Sequence, residues 1–162
     1  MIFKEGPIAS IEGVWSNNKL ETCTLLTKRN ENGSTATATN YQMSSGKLVG
    51  PGTVVVGKST FTGTWDDNGL LNGEAAIHNE NQSSFQGQII DNVREGQGTY
   101  TWPQGEYIGT FKAGQRHTGK NGPDSKMTWN TDETPSIWDG KWENGQCTLG
   151  NLNGRNVNAA DM

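Results

Sequence analysis

Aromatic and glycine positions return together every 22 to 24 residues through the middle of the chain. Phe61-x-Gly63-x-Trp65, Phe85-x-Gly87-x-Ile89, Tyr107-x-Gly109-x-Phe111 and Trp138-x-Gly140-x-Trp142 place apolar side chains two and four residues apart. That period puts them on one face of a strand, not on the stripe of a helix. A turn follows each block, then a second strand such as Thr99-Tyr100-Thr101-Trp102, whose β-branched and aromatic residues suit a pleated sheet. Asn-Gly pairs beginning at Asn32, Asn68, Asn72, Asn121 and Asn144 supply the positive φ that tight hairpins need. No long stretch combines helical spacing with caps, so very little helix is expected.

A fixed period of this size marks stacked supersecondary units, each too small to bury its own apolar face. Counting outward gives six units, beginning near Ile11, Thr39, Phe61, Phe85, Tyr107 and Trp138, with a lead over 1–10 and a polar tail over 151–162. The expected fold is all-β, with about six stacked units of two short strands each. Some units are irregular. The first has a polar insertion around Thr27 to Ser34, the second has Tyr41 in place of its first glycine, and the fifth carries the longest insertion, Gly122 to Ile137. That insertion is expected as a loop, and its Met127 and Trp129 are the candidate partner contact, because Met and aromatic residues often anchor interfaces. The competing reading folds the loop back over the sheet. Trp15, Phe61, Trp65, Phe85, Tyr107, Phe111, Trp138 and Trp142 are expected along one trough, where they either pack neighbouring hairpins together or offer a binding surface; packing is the commoner role.

Composition supports a thin structure. Only 31% of the 162 residues are apolar, 22 are glycine, and the mean hydropathy is -0.74, lean for a two-layer core. The net charge of -4 argues against nucleic acid, which needs clustered Lys and Arg, and weakens the case for an anionic membrane. No apolar span approaches the roughly 20 residues of a membrane helix, and no secretory leader is recognised near Met1, so an intracellular setting is expected.

Chemistry-bearing residues are sparse. His78 and His117 lack ligand-spaced neighbours, and Asp66-Asp67-Asn68-Gly69 reads as a turn, not a calcium loop, for want of the distal glutamate. Asp66 with Glu74 is the nearest approach to a carboxylate pair, and no nucleophile with a base can be named. Cys23 and Cys147 belong to the first and last units, too far apart for a disulfide. No catalytic residue, metal or cofactor is implied.

The stretch Phe85-Gln-Gly87-Gln-Ile89, then Glu95-Gly96-Gln-Gly98-Thr-Tyr100-Thr-Trp102-Pro103-Gln-Gly105, then Tyr107-Ile-Gly109-Thr-Phe111-Lys-Ala-Gly114-Gln-Arg-His117 closely resembles the MORN repeat (membrane occupation and recognition nexus). Asn92 in place of the turn glycine and Ala75 in place of the last glycine depart from it. The resemblance implies a single-layer antiparallel sheet, a solenoid of about six stacked hairpins, elongated and twisted into a trough, that acts as a scaffold. The expected function is therefore a non-catalytic structural or adaptor protein whose partners are other proteins in a larger assembly, or a second copy joined through an end repeat. The alternative is a module that takes a lipid headgroup or a glycan in the aromatic trough.

Overall fold

The computed structural model describes residues 8–29, 35–44, 47–119, 122, 124–131 and 134–158. Every element is a β-strand, and there is no helix among the described residues. The strands are antiparallel and fall into two compact units, Met1–Asn81 and Gln82–Met162.

The first unit contains β1 (Ile8–Ser16), β2 (Lys19–Arg29), β3 (Thr35–Ser44), β4 (Lys47–Val56), β5 (Ser59–Trp65) and β6 (Leu71–His78), each hydrogen-bonded to the next. Ile11, Cys23, Leu26 and Ala38 form its buried cluster, and Leu20, Val54 and Trp65 pack against them. Asn17 and Asn18 both take positive φ (48° and 63°), the geometry of a two-residue hairpin whose twist matches that of its strands. Between β5 and β6 the Asp66 carboxylate accepts from the N–H groups of Asn68 and Leu70 at 2.8 and 2.9 Å. Gly69 closes the turn by donating to the Asp66 carbonyl. The aspartate thus builds its own turn, as short acidic side chains do.

The second unit contains β7 (Ser84–Ile90), β8 (Val93–Trp102), β9 (Gly105–Lys112), β10 (Gln115–Arg116), β11 (Ser125–Thr131), β12 (Thr134–Glu143), β13 (Gln146–Leu152) and β14 (Arg155–Asn158). The order is β7-β8-β9-β11-β12-β13-β14, with the short β10 also on β9. On β7 the alternation is complete: Phe85, Gly87 and Ile89 are buried, while Gln86, Gln88 and Ile90 are exposed. Cross-strand register aligns Gly87 with Gly98 and Gly98 with Gly109, and further along Ser125 with Gly140 and Gly140 with Gly150. A Cβ on Gly109 would meet the Ser125 side chain, so these residues form one lane of minimal side chains across the unit. Aromatic rings lie on that lane. A Cβ added at Gly98 would sit 2.6 Å from the Phe85 ring, and one at Gly150 would sit 2.9 Å from the Trp138 ring.

A second set of glycines has a different task. Gly50, Gly73, Gly96 and Gly119, spaced by 23 residues, all have positive φ. The first three lie in the register shifts of β3–β4, β5–β6 and β7–β8. Each is a bulge that gives one strand extra residues and sharpens the local twist.

Three expectations are corrected. The segment 122–137 is not a loop: it supplies β11, which pairs with both β9 and β12, and the first part of β12. Met127 stands across from Tyr107 and Trp138, and Trp129 across from Gly105 and Ser136. Met127-Thr128-Trp129 thus occupies the place that Tyr100-Thr101-Trp102 holds in the preceding repeat, and the extra residues fall between β10 and β11. The tail 151–162 is also structured in part, since Leu152 ends β13 and Arg155–Asn158 pairs with β13. At the other end the lead 1–10 gives way to β1 at Ile8. The Thr27 to Ser34 insertion is strand through Arg29, and the rest of it lies outside the described residues, as does the side chain of Tyr41.

Replacing Gly98 by Ala forces a methyl group into the Phe85 ring, and overpacking of this kind costs about 1–3 kcal/mol. We expect Gly98→Ala to lower the urea midpoint and to weaken the near-ultraviolet dichroism of the aromatic residues. Gly145→Ala, where the added atom meets open space, should lower the midpoint while sparing that signal. An unchanged dichroism in Gly98→Ala would show that the lane does not position the ring.

Candidate functional site

An open hollow of about 520 Å³ lies on the second unit. Its lining includes Arg94, Tyr100 and Trp102 from β8, Phe111 from β9, Arg116 from β10 and Met127 from β11. The two arginines occupy equivalent places in successive repeats, each seven residues past a lane glycine (Gly87, Gly109) and opposite an apolar residue, Ile89 or Phe111.

Beneath them runs a relay of edge-to-face rings. Phe85 meets Phe111 with centroids 5.2 Å apart, Phe111 meets Tyr107 at 5.2 Å, and Tyr107 meets Trp142 at 5.6 Å. Each contact sets a positive ring edge against a negative face. The guanidinium of Arg94 sits 5.1 Å from the Phe111 centroid and 5.1 Å from that of Tyr100. That of Arg116 lies 4.4 Å from the Trp142 centroid. Both are cation–π contacts, and they hold the charged planes in place. Arg94 also donates from Nη2 to the Gly114 carbonyl at 2.7 Å, and Arg116 donates from Nη1 to the Met127 sulfur at 3.1 Å. Tyr100 and Trp102 stack on each other at 5.8 Å.

Electrostatically the hollow differs from the rest of the chain. Burial is the main effect on Arg116 and lowers its affinity for a proton; nearby Tyr107 and Cys147 oppose that, and the charge of Arg94 reinforces it. An arginine stays charged nonetheless. The ion pairs of the described residues, Lys58 with Glu80 and Lys141 with Asp124, involve neither guanidinium. Glu95, next to Arg94 in sequence, instead accepts from the Ala113 N–H at 2.8 Å.

The trough aromatics divide by burial. Phe85, Tyr107, Phe111, Trp138 and Trp142 are each at most 5% exposed and serve as core. Phe61 and Trp65 are half-buried, and Trp15 is 41% exposed on β1. Met127 reaches the hollow, whereas Trp129 is half-buried further along β11. His117 is tied by its backbone N–H to the Thr110 carbonyl, and His78 is exposed at the end of β6. Cys23 is a buried free thiol whose ionisation burial pushes up. No group of three His, Cys, Asp or Glu among the described residues could hold a metal ion. Among the described residues no helix is long and apolar enough to cross a membrane. Reading the sequence missed Arg94 and Arg116. Their signal was a spacing of 22 residues, the same as that of Phe85 and Tyr107.

Repeated antiparallel hairpins with an aromatic-lined hollow on one unit define a β-repeat sheet. The MORN repeat family model matches residues 85–106 and 107–117, so the chain carries MORN repeats over two of the hairpins that line the hollow. No curated protein matches the chain.

Tyr107 links core and site. Its hydroxyl donates to the Thr110 carbonyl at 3.0 Å and shares a hydrogen bond with Ser125, also at 3.0 Å. Burial, the dominant effect, raises the phenol above its ordinary value of 10.0. The folded state therefore holds this proton more tightly than the unfolded state does. The resulting stability is complete below the unfolded value and is lost as pH climbs from there through the folded value. We expect denaturant unfolding to show a fall in stability above about pH 10. Tyr107→Phe should lack this component of the fall, and should be less stable at neutral pH by about 1–3 kcal/mol because Ser125 loses its partner. Identical alkaline profiles for the two proteins would refute the assignment.

Proposed function

We propose that this chain is a non-catalytic adaptor that binds another protein through the open face of its MORN sheet. The observation that carries the reading is the hollow of Arg94, Arg116, Tyr100, Trp102 and Met127. It combines fixed cations with aromatic and thioether surface, the composition that interfaces favour over the rest of a protein surface. Among the described residues no nucleophile with a base can be named beside it, and covalent catalysis needs such a pair.

The alternative, a lipid headgroup or glycan laid on the trough aromatics, has less support. Stacking needs free ring faces, and five of the eight rings have theirs covered. An intracellular setting fits the adaptor reading, since Cys23 and Cys147, neither in a disulfide, suit a reducing compartment. The partner is then a component of a larger assembly, or another copy of the chain.

Cross-linking in the native source at physiological salt, followed by capture and mass spectrometry, tests the reading. We expect a stoichiometric protein partner whose cross-links map to the second unit. Absence of any partner, together with a shift of tryptophan fluorescence on adding lipid headgroups or oligosaccharides, would replace the adaptor with the ligand-binding module.

A further inference from the structure

The hollow poses an electrostatic question that the adaptor reading leaves open. Two guanidiniums share it, close enough for each to feel the other's charge, and among the described residues neither pairs with a carboxylate. Yet the chain has 17 acidic residues against 13 basic ones. Among the described residues no carboxylate forms an ion pair with either guanidinium, and that of Glu95 is engaged by a backbone N–H. Like charges on a partly desolvated surface repel, and an anion set between them relieves that cost.

We propose that the hollow receives an acidic segment of the partner protein, with a carboxylate held by Arg94 and Arg116 and a neighbouring apolar side chain laid against Tyr100, Trp102 and Met127. The inference rests on the adaptor reading and names the partner's chemistry. Each guanidinium has committed one nitrogen, to the Gly114 carbonyl or to the Met127 sulfur, and keeps other N–H donors for the fork that matches a carboxylate. The rings beneath fix the planes, so little side-chain freedom is lost on binding. Met127 adds a polarizable, adaptable contact at the wall.

The net charge narrows the class of ligand. A chain of net charge -4 repels a polyanion at long range, and nucleic acid or an anionic bilayer demands a basic field far larger than two arginines. Two fixed cations beside apolar walls suit a single carboxylate next to an aromatic or aliphatic residue, presented by an extended segment that an open hollow can admit.

An array of immobilised random decapeptides, probed with the full chain, tests this directly. We expect the wild type to select peptides in which Asp or Glu adjoins an apolar residue, and the best of them to bind about tenfold more weakly or worse when that acid becomes Asn or Gln. Arg94→Gln should lose the selection. Because Arg94 also covers three rings, Gln115→Glu is the second variant: it alters an exposed residue of the lining, leaves both arginines in place and sets a competing carboxylate beside them. It should lose the selection while unfolding at the wild-type urea midpoint. Selection without acidic preference, or full binding by Gln115→Glu, overturns the proposal. So does binding only to inorganic phosphate or to phosphatidylserine vesicles. Native-source capture with both proteins separates the two levels of argument. If Gln115→Glu retains the wild-type partner, the adaptor stands and the acidic-segment inference falls; if neither protein captures a partner, the adaptor reading falls and takes this inference with it.

Discussion

The packing of the second unit depends on aromatic rings seated on a lane of minimal side chains. A sheet face needs cover, and in two-layer proteins another sheet or a helix supplies it. Here Phe85, Tyr107 and Trp138 fold down over lane glycines, which is why a Cβ at Gly98 would enter the Phe85 ring. Burying one such side chain contributes on the order of 1.5–3 kcal/mol, and each edge-to-face contact adds about 0.5–1.5 kcal/mol. The relay from Phe85 through Phe111 and Tyr107 to Trp142 crosses from one repeat to the next, so it joins hairpins as well as covering them. The candidate site is the outer layer of this packing. Arg94 and Arg116 cover the rings and line the hollow, so one contact set supports both the packing and the candidate site.

The sequence made the repeat legible because the lane is a backbone requirement. Only glycine, or Ser125 at one position, leaves room for the ring, so the Phe-Gly and Tyr-Gly alternation survives where other residues vary. Turns were legible for a similar reason, although the pattern is broader than Asn-Gly alone. Asp91-Asn92 adopts φ of 51° and 68°, so Asn92 does at its turn what glycine does elsewhere. Asn153-Gly154, with φ of 50° and 85°, closes the hairpin of β13 and β14 in a segment that composition alone marks as polar tail. The pair was visible; the absence of a following aromatic block concealed it.

Two features were harder to read, for physical reasons. In the fifth repeat the second strand is broken: β10 has two residues, and β11 resumes after an interruption to pair with β9 along the same edge as β10, opposite β8. Hydrogen-bond register tolerates such a break, because each half pairs locally, whereas a fixed-period count does not. Met127 also fills the place that Tyr100 holds, a chemically sensible exchange that hides the likeness of the two strands. The arginines escaped notice because a cation in a strand usually signals a solvated face. Ring stacking is the exception, and it becomes visible only once the rings are placed.

The hollow's position along the repeats follows from one column. Seven residues past the lane glycine the successive repeats carry Arg94, Arg116 and then Cys147, the last opposite Trp142. The aromatic scaffold continues at Trp138 and Trp142, both buried. Cysteine, paired in register with Trp142, ends the charged row. A repeat sheet can therefore hold its geometry constant and write its recognition chemistry in the few positions that cover the rings. In this chain those positions set two fixed positive charges side by side on an otherwise acidic protein.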